Sequence, residues 1–376
     1  MSVEIRALQP TRSQLRKFAR FGIDLYEGNP YYVPALIHDD VNTLSPKVNP
    51  AFDFCEAQCF MAYRDGKPVG RIAGIINNAV NGRTGQKTLR FGFVDFIDDT
   101  EVVDALFDAC AAWGKERGMD SMLGPMGFTD MDHEGMLVEG FDQLGTMATI
   151  YNHPYYPRHM ERMGFTPEAE WVEMAIKIPD SIPDKYARVA EIVKTRNNLK
   201  VLKFTSRKKI KEQYGVALFE LINEAYDQLY GYSPLTPRQI DYYIDMYLGI
   251  LNLDFVTVVV DSEDRLVAVG ISIQSFSKAL QKARGRLLPT GWWHLLQTLR
   301  GKSDIVDLIL IAVKTEYQCK GVNALLFTDL IPHYIKAGFK YAETNPELAG
   351  NDKVRGQWDY FDTRLHKRRR SFRRPL

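Results

Sequence analysis

The chain has 376 residues, 45% apolar and 25% charged, with a formal net charge of +1. That length suggests two or three domains with ample material for buried cores. The near-neutral balance excludes a whole-molecule field that would gather nucleic acid. The four cysteines, Cys55, Cys59, Cys110 and Cys319, follow neither zinc-site nor disulfide-framework spacing and read as reduced thiols of a cytosolic protein. The first residues do not read as a signal peptide, and no apolar run approaches membrane-spanning length.

Val3 to Leu8 reads as a first strand. Thr11 to Tyr26 carries Leu15, Phe18, Ala19 and Ile23 at helical spacing, with Thr11 as N-cap. A turn over 28–34 leads to a short helix bearing Asp39 and Asp40. Cys55–Tyr63 and Val69–Asn77 read as strands of a hairpin turned by Asp65-Gly66. Leu89–Ile97 is a strand, Glu101–Gly118 an amphipathic helix with a C-cap glycine, and Met119–Gly124 a short strand. After residue 180 the order returns: strand Leu199–Phe204, helix Ser206–Tyr230, helix from Thr236-Pro237 to Leu248, strands Phe255–Val260 and Leu266–Gln274. Ile305–Val313 is short, apolar and β-branched, which predicts a strand buried on both faces. Lys314–Gly321 is a charged turn. Val322, Leu325, Leu326, Leu330 and Ile331 then recur at helical spacing, and Phe339–Thr344 is the next strand. We expect two tandem α/β lobes, each a mixed central sheet flanked by helices. The Pro-containing stretch 178–184 gives lobes 1–180 and 181–376.

The strand–turn–helix over 305–337 gathers unpaired amides and a positive helix end at one point, which suits phosphate. An ordinary β-turn-α connection is the bland alternative. Gln318-x-x-Gly321-x-Asn323 resembles the pyrophosphate loop of the GNAT superfamily of acyl-CoA-dependent acyltransferases, with Asn323 where that family has Gly or Ala. The first lobe differs: Asp98, Asp99 and Glu101 at its corresponding helix start would repel a pyrophosphate, so that lobe is read as lacking CoA. Gly124-Pro-Met, Gly140-Phe-Asp142, Tyr151-Asn-His-Pro-Tyr-Tyr156 and Gly291-Trp292 resemble the YghO-like branch of the same superfamily. The resemblance implies an N-acyltransferase that uses acetyl-CoA or a longer acyl-CoA. Relatives that N-acylate sphingoid amines imply a small-molecule or lipid amine acceptor.

The resemblance places the acyl-CoA contacts at Ala312, Val313, Gln318, Cys319, Lys320, Gly321, Val322, Asn323, Ala324, Asn345 and Asn351. For the two asparagines an Asx-turn and an N-cap are the structural alternatives. Acyl transfer to an amine needs a base, an oxyanion donor and a proton for the leaving thiolate. Glu343 is the candidate base, with a solvated strand-end carboxylate as its alternative. Tyr360 is the candidate thiolate donor, against a purely aromatic core role with Trp358 and Phe361. Cys319 reads as a small packing residue. Asp130, Asp132 and Glu134, with Tyr151, Asn152 and Tyr156, are candidate acceptor contacts, the alternative being a Pro-fixed turn with buried aromatics. His133 joins the acids in one loop, yet no second ligand cluster supports a metal, and none is expected.

Two stretches bear on partners. Residues 284–302 mix Trp, Leu and cations, which suits a membrane surface, an acyl-chain lid or a dimer contact. The basic tail 366–374 reads either as a closing β-strand or as an attraction to anionic lipid. No nucleic-acid partner is expected. The expected location is cytoplasmic, at the inner face of the membrane if lipid contact holds. Other readings are a non-catalytic ligand binder that kept the fold and a Fem-like aminoacyl-tRNA-dependent transferase.

Overall fold

The computed structural model describes residues 2–249, 251–301 and 303–376. In chain order the first elements are β1 (Glu4–Ala7), α1 (Arg12–Leu25), α2 (Ile37–Thr43), β2 (Cys55–Arg64), β3 (Lys67–Asn77), α3 (Asn78–Thr84) and β4 (Thr88–Phe96). They are followed by α4 (Thr100–Lys115), β5 (Ser121–Gly124), β6 (Met136–Glu139), α5 (Tyr155–Arg162) and β7 (Thr166–Lys177). Next come α6 (Asp184–Arg196), β8 (Lys200–Leu202), α7 (Arg207–Tyr226), α8 (Pro237–Leu248), β9 (Val256–Val260), β10 (Leu266–Gln274), α9 (Ser277–Ala283) and α10 (Gly291–Leu299). The chain ends with β11 (Ile305–Val313), α11 (Asn323–Ala337), β12 (Tyr341–Thr344), β13 (Glu347–Leu348), α12 (Asp352–Arg355) and β14 (Thr363–Pro375).

Local chemistry explains much of this. Asp65 and Gly66 both take positive φ, 54° and 74°, and so turn the β2–β3 hairpin tightly. Thr11 caps α1 by accepting from the Gln14 amide. Thr236 and Gln239 form a reciprocal capping box on α8.

Two compact units result: one of residues up to 172 with 276–295 and 366–376, the other of 173–275 with 296–365. A single cut near residue 180 does not describe this partition. The chain changes unit inside β7, on both sides of the α9 insertion and inside β14. The reason is strand pairing. Residues 121–124 of unit 1 pair with 372–375 of β14, and β12 of unit 2 pairs with 175–177 of β7.

In unit 1 the strand order is β1-β2-β3-β4-β5-β14, with β6 also on β14. One face packs Phe91, Phe96, Leu106, Phe107 and Cys110 beneath α4. The other packs Phe18 and Ala19 of α1 over Met61, Ala73 and Ile75. Beneath α1 lies a buried ion pair, Arg71 Nε to Asp95 Oδ2 at 2.7 Å. Arg71 also donates to the Phe18 carbonyl, and Asp95 accepts from the Tyr26 hydroxyl at 3.0 Å. A Cβ at Gly22 would run into Arg71, so α1 needs glycine there. The basic tail is the unit's own strand. Lys367, Arg369 and Ser371 are buried in β14, and Arg370 pairs with Glu170 at 2.6 Å. Its charge is therefore spent within the sheet and is not offered to lipid.

Unit 2 has the order β7-β12-β11-β10-β9-β8. On one face α6 and α11 pack Tyr186, Val193, Leu326 and Leu330 against Val259, Val306 and Ala342. On α7 and α8, Lys211 pairs with Asp245 at 2.5 Å, and α7 lies along β10 and β11.

The Arg71–Asp95 pair yields a clear expectation. Asp95→Ala leaves a buried guanidinium uncompensated and should destabilise unit 1 by about 3 to 5 kcal/mol, read by urea unfolding. The double change Arg71→Met/Asp95→Leu should recover most of that loss.

Candidate functional site: an open strand edge and the turn beyond it

β11 runs parallel to β12 only from Ile305↔Tyr341 to Leu308↔Thr344. On its other side it stays paired with β10 as far as Ala268↔Val313. Opposite Ile271 and Ser272 stand Leu310 and Leu308, so Ile309 is the extra residue of a β-bulge. Five residues of an apolar strand thus have an edge without a strand partner. The expectation of burial on both faces fails here: Leu308 to Ile311 are only half-buried, because β12 stops after four residues.

Side chains of unit 2 hold the carbonyls of that edge. Asn345 Nδ2 donates to Ile309 O at 2.8 Å, the Tyr226 hydroxyl to Ile311 O at 3.0 Å, and Gln318 Nε2 to Val313 O at 3.1 Å. Residues 309, 311 and 313 alternate on one edge of a strand, and the same alternation aims the Ile311 and Val313 amides off it.

The turn beyond β11 is a 3₁₀ stretch, Thr315–Tyr317, pinned by the Thr315 amide donating to Glu224 at 2.9 Å. Cys319 (φ 59°) and Gly321 (φ 80°) then swing the chain into α11. No side chain caps that helix at Val322. The backbone amides of Cys319, Gly321, Val322 and Asn323 donate to no acceptor among the described residues. An open pocket of about 260 Å³ lies against this turn, lined by Cys319, Gly321, Asn323 and Ala324 together with Lys185, Tyr186 and Tyr360. Free donors, a positive helix end, a lysine and open space fit a diphosphate. Cys319 is exposed on this pocket, so it is not a packing residue, and Lys320 is exposed beside it.

The two expected catalytic residues do not meet. Ala342 faces the α6–α11 core, so Glu343 next to it points to the opposite face of the sheet. There Glu343 is buried, register neighbour of Asp307 and Ala175, and lies within the paired part of β12. Tyr360 lies on the α6–α11 side, where Lys185 Nζ sits 3.5 Å from its ring centre. It belongs to the rim of the turn pocket. Asn351 accepts from the Val354 amide at 3.4 Å and starts α12, the structural alternative weighed for it.

Sequence reasoning missed Glu347, Tyr226 and Lys185. Glu347 follows Asn345, which holds the open edge, by two positions. Burial pushes its carboxyl up to about 7, opposed by the Trp358 indole N–H donating at 3.0 Å. Its charge also contributes to raising the Tyr226 hydroxyl, itself lifted first by burial. Nothing in the sequence separates Glu347 from other acids. Lys185 was legible: Tyr186, Val189, Ala190 and Val193 carry helical spacing just past the proline stretch.

The corresponding cleft in unit 1 is filled by its own chain. β4 pairs with β5 only from Thr88↔Ser121 to Arg90↔Leu123. Beyond that, the Met126 amide donates to Phe91 O at 2.8 Å, and Gly92 has no room for a Cβ against the Met126 carbonyl. At the far end the Phe96 amide donates to the Tyr156 hydroxyl at 3.0 Å, and the Tyr155 hydroxyl donates to Phe96 O at 2.6 Å. The N-terminus of α4 is capped by Asp99, which accepts from Val102 at 3.1 Å and is gripped by Arg64. Tyr156 and Asn152 are thus interior residues: Asn152 bridges the Leu137 amide and carbonyl at 2.7 and 3.0 Å. Tyr151 is also buried, donating to Phe141 O at 2.9 Å. These three are not acceptor contacts. Asp132 clasps its own loop by accepting from Thr129 at 3.0 Å, and burial lifts its carboxyl to about 6. Glu134 is pushed well above the carboxylate range by burial and by Asp130. No metal-holding group of three occurs among the described residues.

A bulged central strand, a splay against a parallel neighbour and a glycine turn into a helix are the GNAT arrangement. The chain is a tandem GNAT-fold protein. It resembles a tandem GNAT protein of the clavulanic acid biosynthesis pathway (TM-score 0.57, 11% identity, covering 100% of this chain and 98% of that one). A GCN5-related N-acetyltransferase from Sphaerobacter thermophilus gives a TM-score of 0.53 at 12% identity, covering 99% and 95%. In sequence the chain is similar to Protein YghO of Escherichia coli K12, 26% identical over 323 residues, which are 85% of this chain and 81% of that protein. It is also similar to the bacterial ceramide synthase of Caulobacter vibrioides, 25% identical over 311 residues, 82% and 80% of the two chains. These relatives are consistent with a YghO-like branch. No family model matches the chain.

The Glu347 environment can be read by titration. A carboxyl raised to about 7 is easier to protonate folded than unfolded, so its stabilising share is present below about 4.5 and lost as pH climbs through 7. Glu347→Gln should remove a fall in unfolding free energy of about 2 to 3 kcal/mol between roughly pH 5 and 8, measured by urea denaturation at each pH.

Proposed function

We propose that unit 2 transfers an acyl group from acyl-CoA to an amine, with a long-chain lipid amine as the acceptor class. The observation that carries this is the unpaired edge of β11 leading to the uncapped start of α11. Acyl-CoA supplies the thioester carbonyl. The free amides of 319 and 321–323, with Lys185, would hold its diphosphate. The Ile311 and Val313 amides, aimed off the strand edge, are oriented to receive the charge that develops on a carbonyl oxygen.

The amine must lose a proton as its nitrogen bonds to the carbonyl carbon and the C–S bond breaks. Glu347 is the proton acceptor in this reading, since a carboxyl near 7 is half-ionised at neutral pH and matched to the task. The sulfur leaves as a thiolate and takes a proton from solvent, and Glu347 returns its own proton to solvent. Tyr226 holds the strand edge open at Ile311 and keeps its hydroxyl proton, because burial raises it well above the ordinary phenol range. The lipid character of the acceptor rests on the similarity to the ceramide synthase alone.

Substitution at Gly321 tests the donor side. A Cβ there would lie 2.8 Å from Val189 Cγ1 on a backbone of φ 80°, so Gly321→Val should distort the turn and lose retention on a CoA matrix. Unchanged retention would remove the turn from the proposal. Thiol release from palmitoyl-CoA with sphinganine as acceptor tests the reaction. In Glu347→Gln the rate should fall about 100-fold or more, and the rise of activity through pH 7 should vanish. CoA retention without thiol release for any amine would leave a non-catalytic binder.

A further inference from the structure

The segment between β10 and β11 carries a second function. No acidic residue occurs from Arg265 to Ser303, while Lys278, Lys282, Arg284 and Arg286 fall within it. All four cations are exposed. Next to them stands an apolar tip: Leu287 is 43% exposed, Leu288 74%, Trp292 48% and Trp293 43%. In a protein of net charge +1 this is a local concentration of positive charge around a patch of uncovered indole and leucine.

The tip is presented on a fixed base. Ala279, Leu280 and Ala283 are buried in unit 1. The Ile37 amide donates to Gly285 O at 2.9 Å, and Gln281 Nε2 donates to the carbonyls of Pro30 and Tyr32 at 2.8 and 3.0 Å. Gly285 packs so closely on Ile23 that a side chain there has no room. Three hydrogen bonds also brace the tip within itself. The Trp292 amide donates to Leu287 O at 2.8 Å, the Trp293 amide to Thr290 O at 3.1 Å, and the Trp292 indole to Pro289 O at 3.0 Å. Gly291 allows this closure, since a Cβ there would strike the Arg286 carbonyl.

From this geometry we infer that the 278–293 tip docks unit 1 on an anionic lipid bilayer. Trp292, Trp293, Leu287 and Leu288 enter the headgroup–acyl boundary, and Lys278, Lys282, Arg284 and Arg286 meet the anionic headgroups. Charge chooses among occupants. An anionic leaflet offers this cationic patch a matching field over its whole width. Exposed tryptophan flanked by arginine and lysine suits an interface with an apolar side and a wet side. Among the described residues no helix is long and apolar enough to cross a membrane, so the contact lies on the surface. This inference stands apart from the acyl-transfer reading and holds or fails without it.

Vesicle sedimentation of the full chain tests it. Vesicles of phosphatidylglycerol mixed with phosphatidylcholine should carry the protein down, and pure phosphatidylcholine should do so weakly. Added salt should weaken the anionic binding. Trp292→Ser/Trp293→Ser should lower the partition coefficient about tenfold or more with unchanged circular dichroism, and Lys278→Glu/Lys282→Glu should lower it on anionic vesicles by a similar factor. Brominated acyl chains should quench tryptophan fluorescence in the parent and not in the double serine variant. Partition that is absent, or that ignores both double substitutions, overturns the inference. So does a dimer by light scattering that the serine variant dissociates while vesicles bind neither form, which would assign the face to a second copy.

Discussion

Everything in unit 2 follows from β12 being too short for β11. A strand edge cannot keep its amides and carbonyls unmatched away from water, so a partner has to be found for each. Here the carbonyls are matched by Asn345, Tyr226 and Gln318, three side chains from three different elements. Each of the three gives its N–H or O–H to a carbonyl of the edge. The edge is therefore left asymmetric, with acceptors filled and donors aimed outward. The bulge at Ile309 sharpens the effect, since it brings the Leu308 and Ile309 carbonyls to the same edge, where the Asn345 amide and side chain take both. An edge rich in outward donors, continuous with a helix start that no side chain caps, selects for oxygen-bearing ligands along its whole length.

Unit 1 faces the same geometric problem and solves it with its own residues. Its central strand also parts from its parallel neighbour after three register pairs. The gap is then closed by Met126, Tyr155 and Tyr156, and the helix start by Asp99 with Arg64 over it. The difference between the two helix starts is one of sign. A carboxylate at the first turn of α4 uses the dipole that an anionic ligand would need. At α11 the corresponding position is Val322, which makes no such claim on the dipole. Two copies of one supersecondary plan have thus been driven apart by a few residues each.

Short-range chemistry was legible from the sequence. The Asp65-Gly66 hairpin, the Thr236-Pro237 helix start and the glycine turn at 321 depend on neighbours a few positions apart. Pairings between distant parts of the chain were not. That residues 372–375 would lie beside 121–124 has no local signature, so the basic tail read equally as a closing strand or as a lipid contact, and the boundary near residue 180 looked simple. The burial of β11 was misjudged for the same reason. Its composition states that it is apolar, but the length of its partner decides how much of it is covered. Glu343 and Glu347 illustrate the limit for the site. Both are acids near the end of one strand. Only the placement of Trp358, on the far side of a loop, and of Tyr226, more than a hundred positions earlier, singles out the second.

The two basic stretches of this chain separate by the company they keep. In β14 the arginines find acids brought in by the fold, Glu139 and Glu170, and alternate ones turn into the unit's interior. Their desolvation is offset by pairing, so little of their charge reaches beyond the protein. In the 278–286 stretch the nearest sequence offers no acid. Arg284 reaches only Glu27 at 3.5 Å, with both side chains more than 70% exposed, a geometry that contributes little in water. Equal composition therefore has opposite consequences: one stretch is neutralised as structure and the other keeps its field. The second also surrounds exposed leucine and tryptophan, so its charge and its apolar surface are presented together. A near-zero sum for the whole molecule conceals that division, because the charge that matters for recognition is the part left unpaired at the surface.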